Sequence, residues 1–144
     1  MSASLMPASS LLSDLTAIVG KDHVLTGDAD REFYAMDVYS HLKLPLAVIQ
    51  PGSIEELQQV VRTATSAGVA VVPRGGGASY TDAYLPAVSN SILIDTGRLN
   101  RVVELNEGDM YVTVEPGITW AELWQTLKAK GLRYWLGING AQSG

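Results

Sequence analysis

With 144 residues, 47% of them apolar and none of them cysteine, the chain is the size of one ordinary domain, and disulfides, thiolate catalysis and cysteine-based metal sites are excluded. A net charge of −5 and scattered basic residues give no electrostatic footing for nucleic acid, and His23 and His41 stand far apart outside any metal-binding helix pattern, so neither a nucleic-acid partner nor a metal is expected. The first residues lack a basic region, Asp14 interrupts the apolar run behind them, and no stretch reaches the roughly 20 apolar residues that span a bilayer, so the expectation is a cytoplasmic protein without a membrane span.

Leu11, Leu12, Leu15, Ile18 and Val19 share one helical face, with Ser10 as N-cap and Gly20 as stop. Residues 22–43 have aromatics but no sustained period and read as loop with one short helix. Leu46-Ala47-Val48-Ile49 is a buried strand closed by Pro51-Gly52. Ser53 to Glu56 then forms a capping box, and its helix runs through Leu57, Val60, Val61, Ala64 and Ala67 to Gly68. Val69 to Val72 is the next strand. A strand–helix–strand unit of this length favours a parallel pair with a right-handed crossover, and projects the loop at Arg74 from the carboxyl end of its second strand, where open α/β sheets place ligands.

That loop, Arg74-Gly75-Gly76-Gly77-Ala78-Ser79-Tyr80, is the chain's most informative stretch. Three glycines remove the Cβ atoms that hold a ligand off the main chain, so successive N–H groups can converge on a phosphate or pyrophosphate; a solvent-exposed turn explains the same composition. Two familiar phosphate loops fail. The P-loop needs Lys where Ala78 stands, and the G-x-G-x-x-G fingerprint would put the Tyr80 ring at its third glycine.

Beyond Asp82 the pattern shortens. Ser91 to Asp95, Arg101 to Leu105 and Met110 to Val114 read as short strands, the last two as a hairpin about Glu107-Gly108-Asp109. Pro116-Gly117 ends that sheet. Thr119 to Glu122 is a second capping box, and Trp120, Leu123, Trp124 and Leu127 form an apolar stripe, expected to pack, that stops at Gly131. Residues 137–144 are a small-residue loop with nothing after it, which points to a truncated chain or fragment.

Four blocks in order resemble the FAD-linked oxidases, the vanillyl-alcohol-oxidase-like flavoproteins that include glycolate oxidase and D-lactate dehydrogenase subunits. They are Pro45 to Ser53 with its helix, Pro73 to Ser79, Ile92 to Asp95 with Leu99 to Val102, and Val114 to Gly117 leading into Trp120, Leu123 and Leu127. The resemblance covers about residues 22–144. It implies an α+β FAD-binding domain spanning 1–144, made of two α/β subdomains. The first, about 1–80, is a small parallel sheet with helices. The second, about 81–144, is mainly antiparallel and incomplete.

By the same resemblance, the amides of Arg74, Gly75, Gly76, Gly77, Ala78 and Ser79 surround the FAD pyrophosphate, with Ser79 adding a hydroxyl. Arg74 contacts a phosphate or pairs with a carboxylate. Tyr80 flanks the flavin or, as favoured, packs at the loop base. Pro116 and Gly117 pass the cofactor or simply turn the chain. Family members with histidyl-linked flavin carry His where Ala78 stands and doubly linked members also use Cys, so non-covalent FAD is expected. The implied activity is that of an FAD-dependent oxidoreductase on the CH–OH group of a small 2-hydroxy acid or alcohol. No catalytic residue is assigned, because the family's proton-abstracting residues generally lie beyond this stretch. A missing C-terminal half or partner subunit goes with that reading. The alternatives are a non-catalytic fragment or partner subunit of a flavoprotein, and a nucleotide- or phosphosugar-binding module without redox activity.

Overall fold

The computed structural model describes residues 8–77 and 81–132. In chain order these form helix α1 (Ala8–Val19), a 3-10 turn (Lys21–His23), strand β1 (Val24–Leu25), helix α2 (Asp28–Tyr34), β2 (Ala47–Ile49), α3 (Ile54–Ser66), β3 (Ala70–Arg74), β4 (Ser91–Asp95), β5 (Val102–Asn106), β6 (Tyr111–Val114) and α4 (Trp120–Ala129). The first four strands make one sheet in the order β1-β2-β4-β3, and β5 pairs with β6 alone. The architecture is the expected α+β one, with a largely parallel sheet followed by an antiparallel hairpin.

The strand at 91–95 differs from the sequence reading. It was expected to open the antiparallel sheet; instead β4 runs parallel between β2 and β3, with Ile92 opposite both Ala47 and Val71 and Ile94 opposite both Ile49 and Pro73. β2 and β3 therefore flank β4 rather than pair with each other. The reason is burial: Ser91, Ile92, Leu93 and Ile94 are all inaccessible, as a central parallel strand covered on both faces requires. Pro73 fits the same order, since a residue without an N–H is tolerated on an edge strand such as β3.

One face of this sheet carries the main core. Leu11, Leu15 and Val19 of α1 and Val60 and Ala64 of α3 pack on Ala47, Ile49, Ile92 and Ile94. The capping pattern holds with one shift. Ser53 Oγ accepts from Glu56 N at 3.2 Å, but the Glu56 carboxylate reaches back to Gly52 N, at 2.7 Å, rather than to Ser53. At α4 the box is complete, with Glu122 Oε2 accepting from Thr119 N at 2.8 Å. In the hairpin turn, Asn106 Oδ1 accepts from Asp109 N at 2.9 Å, and Met110 rather than Gly108 takes the left-handed conformation, with φ of 55°. Among the described residues no helix is long and apolar enough to cross a membrane.

The hairpin is anchored by one ion pair. Glu115 is 5% exposed and receives Arg101 N at 2.9 Å and Arg101 Nη2 at 2.7 Å. These bonds hold the Glu115 carboxyl below its ordinary value of 4.5. A carboxylate with a depressed folded-state pKa contributes stability above its unfolded pKa and loses it as pH falls through the folded value. Unfolding midpoints followed from pH 7 downward should therefore drop below about pH 4.5 more steeply in the parent than in Glu115→Gln. Parallel acid limbs for the two proteins would show that the pair does not couple to folding.

Candidate functional site: three loops at the carboxyl edge of the sheet

The carboxyl ends of β3 and β4 lie side by side, Arg74 opposite Asp95, and the segments leaving them are stitched together through the backbone. Thr96 N donates to Arg74 O at 3.0 Å, and Gly117 N donates to Leu99 O at 2.7 Å. A Cβ on Gly75 would lie 4.0 Å from Pro116 O. The loop after β3, the turn after β4 and the turn after β6 thus meet, although the sequence separates them widely. Ala78, Ser79 and Tyr80 of the expected site lie outside the described residues, as do Trp135 and the small-residue end at 137–144.

Arg74 has no carboxylate within ion-pair distance among the described residues, so the carboxylate pair that its position allows does not form there. Its Nη1 donates to Tyr34 O at 2.7 Å and to Met36 O at 3.0 Å. Its guanidinium lies 4.6 Å from the centre of the Tyr84 ring and 5.4 Å from that of Tyr34. The side chain is only 9% exposed. Charge-assisted bonds of this kind contribute about 1.5–3 kcal/mol each, and the stacked rings add about 0.5–2 kcal/mol.

The glycines divide into different roles. Gly77 has φ of 70°, and a Cβ there would collide with the Arg74 guanidinium. Gly117 is as constrained, because a Cβ would strike the Thr96 carbonyl oxygen and come within 2.9 Å of Leu99 O. Both are glycine for reasons internal to the fold. Around Gly76, by contrast, nothing among the described residues lies within 4 Å of an added Cβ. On that side its main chain is left uncovered by the described residues.

Beside this edge lies a polar cluster that sequence reasoning missed. Asp95 Oδ2 accepts from Tyr34 Oη at 2.9 Å and from Gln50 Nε2 at 2.8 Å, and Asp95 Oδ1 accepts from Gly97 N at 3.0 Å. Burial, then the bond to Asp95, raises the Tyr34 pKa above its ordinary 10.0. The available signal was position: Gln50 and Asp95 each directly follow an apolar strand run, at the sheet edge where ligands bind. A cleft of about 550 Å³ between α2 and residues 41–44, lined by Phe33, Met36, His41 and Leu42 among others, includes no residue of the three loops.

The tryptophans also depart from expectation. Leu123 and Leu127 are buried, but Trp120 and Trp124 are 47% and 49% exposed, with Lys128 Nζ 4.6 Å from the centre of the Trp124 ring. The two leucines lie four positions apart and fill the contact face, which leaves the rings at its margin.

The glycine roles separate in a simple experiment. Gly77→Ala should lower stability by about 1–2 kcal/mol, the cost of a left-handed non-glycine residue, plus whatever the Arg74 contact adds. Gly76→Ala should leave the thermal midpoint nearly unchanged. Equal losses for the two variants would contradict the assignment.

Against this geometry, the family model described as FAD binding domain matches residues 45–143. A D-2-hydroxyglutarate dehydrogenase of Stutzerimonas stutzeri is 33% identical over 125 residues, covering 86% of this chain and 27% of the relative. The mitochondrial D-lactate dehydrogenase [cytochrome] of Arabidopsis thaliana is 34% identical over 125 residues, covering 85% and 22%. The solved structure of 4-ethylphenol oxidase from Gulosibacter chungangensis matches with a TM-score of 0.75 at 29% identity, over 85% of this chain and 24% of that one. The chain spans about a quarter of the length of these relatives. Since the family match takes in β2, α3, β3, β4, the hairpin and α4, every strand and turn that builds the three-loop edge lies within it, and the chain belongs to the FAD binding domain family.

Proposed function

We propose that the chain is the FAD-binding portion of a flavin-dependent oxidoreductase acting on the CH–OH group of a 2-hydroxy acid or alcohol, with the cofactor held non-covalently. The observation that carries this reading is the open face of Gly76, set in a loop whose neighbour Gly75 lies against Pro116. The fit to a pyrophosphate is good: backbone N–H groups without side chains in front of them suit an anion even on an acidic protein, because they act locally. The amides of residues 74–79 would hold the pyrophosphate, Ser79 would add a hydroxyl, and Pro116 and Gly117 would pass the cofactor on the other side. When bound, the flavin supplies the capacity to take a hydride equivalent from a substrate carbon. Ala78 offers no atom for attachment at this loop, and the chain has no cysteine.

The substrate class rests on the D-2-hydroxyglutarate and D-lactate dehydrogenases to which the chain is similar. Two subdomains belong to the same proposal, with the boundary placed after β4 rather than near residue 80, because β4 completes the first sheet.

Purified protein mixed with FAD and then precipitated with acid should release all of its flavin unmodified into the supernatant; yellow colour retained in the pellet would refute non-covalent binding. Gly76→Val should weaken FAD binding by at least tenfold while leaving the far-ultraviolet circular dichroism unchanged, since its branched Cβ would occupy the approach to the backbone. Undiminished flavin occupancy in the folded variant would reduce the loop to a turn.

A further inference from the structure

We propose that Arg74 is a positioning residue, the centre of a clamp that fixes the glycine loop from behind, and that it makes no contact with the pyrophosphate. For its ligand this rests on the flavin reading; the clamp itself rests on geometry alone. The guanidinium is turned inward. Nη1 is engaged by the carbonyls of Tyr34 and Met36, which emerge from the carboxyl end of α2, and the Tyr84 ring lies 4.6 Å from Cζ. The other edge of the group fills the space that a side chain on Gly77 would need. Tyr84 closes the clamp by donating its hydroxyl to Gly77 O at 2.8 Å. One buried cation is therefore bonded to α2, stacked on Tyr84 and packed under the loop, while the Tyr84 hydroxyl holds the loop's own carbonyl.

Such a group sets where the amides of Gly75 to Gly77 point, and does so without lending its charge to the ligand. α2 is in turn held to the sheet edge by the Tyr34 hydroxyl on Asp95, so the clamp is continuous from β4 through α2 to the loop. A lysine keeps the charge but loses the shape: its ammonium can still donate to the two carbonyls that Nη1 holds, but it lacks the further guanidinium atoms that fill the space beneath Gly77 and the planar group set over the Tyr84 ring.

The test compares Arg74→Lys, Arg74→Met and Tyr84→Phe with the parent. FAD affinity is measured by flavin fluorescence in 30 and 300 mM KCl, and amide hydrogen exchange of the 74–85 segment is followed without ligand. Direct ion pairing to phosphate weakens with salt, whereas a desolvated clamp does not. The expected outcome is at least tenfold weaker FAD binding for both Arg74 variants and about threefold for Tyr84→Phe, each with the parent's ratio of affinities at the two salt concentrations. Exchange in the 74–85 segment should rise at least tenfold in the Arg74 variants, with β4 protection unchanged. Parent-like affinity in Arg74→Lys, or a salt dependence that collapses in Arg74→Met, would overturn the proposal in favour of a phosphate contact. Should Arg74→Met fail to fold, Arg74→Lys and Tyr84→Phe decide by the same criteria. Should the parent bind no FAD, the flavin reading fails by itself, and the exchange measurement still decides the clamp: unchanged exchange in the 74–85 segment refutes it.

Discussion

The constraint on which the site depends is the placement of β4. A strand with its side chains buried on both faces must be hydrogen-bonded along both edges, and here β2 and β3 supply those partners in parallel. Parallel pairing aligns the three carboxyl ends. Gln50, Arg74 and Asp95 consequently leave the sheet at one level, and Thr96 can take the Arg74 carbonyl as its acceptor. Had 91–95 paired with the hairpin instead, the loop at Arg74 would lose this backbone contact and its link, through Thr96 and Leu99, to Gly117.

Glycine at this edge serves two opposite ends. At Gly77 the space vacated by a side chain is taken by Arg74, and at Gly52 it is taken by Arg98, whose Nη2 lies 2.6 Å from where a Cβ would be and whose Nη1 donates to Gln50 O at 2.7 Å. Gly117 yields its space to the Thr96 carbonyl. These glycines let the protein pack against its own main chain. Gly76 differs because nothing among the described residues fills the space it leaves, so its main chain is not covered by the protein's own packing there. A row of three identical letters conceals that difference.

The sequence was most legible where local chemistry decides structure. Capped helices α3 and α4, the apolar runs of β2 and β4 and the Asn106–Met110 hairpin connection were all visible as patterns of cap, period and turn. It was least legible where the decision is made by partners distant in the chain. The partner of β4 is chosen by burial on two faces, and a five-residue apolar run does not say whether a hairpin or two parallel neighbours will cover it. The roles of Arg74 and Asp95 were hidden for the same reason. Their partners Tyr34, Met36 and Gln50 sit 38 to 61 residues away, and Tyr34 and Met36 lie in a segment whose own pattern is weak. The tryptophan stripe failed differently: helical periodicity identifies a face, but Leu123 and Leu127 alone occupy its centre.

The segment before β2 is the clearest case of structure that pattern alone undervalues. Residues 22–43 carry no sustained period, and the family match begins only at residue 45. Yet Tyr34 at the end of α2 and Met36 just beyond it supply the two carbonyls that hold Arg74, the Tyr34 hydroxyl meets Asp95, and His23 O accepts from Gln50 N at 3.0 Å. A seven-residue helix with no buried residues of its own gains little from packing, and these polar contacts tie it to the sheet edge. The dependence runs both ways. Arg74 can be buried because α2 offers it carbonyls, and α2 can be ordered because Arg74 and Asp95 give it polar partners. A change in either therefore reaches the glycine loop, even when it lies outside the stretch that defines the family.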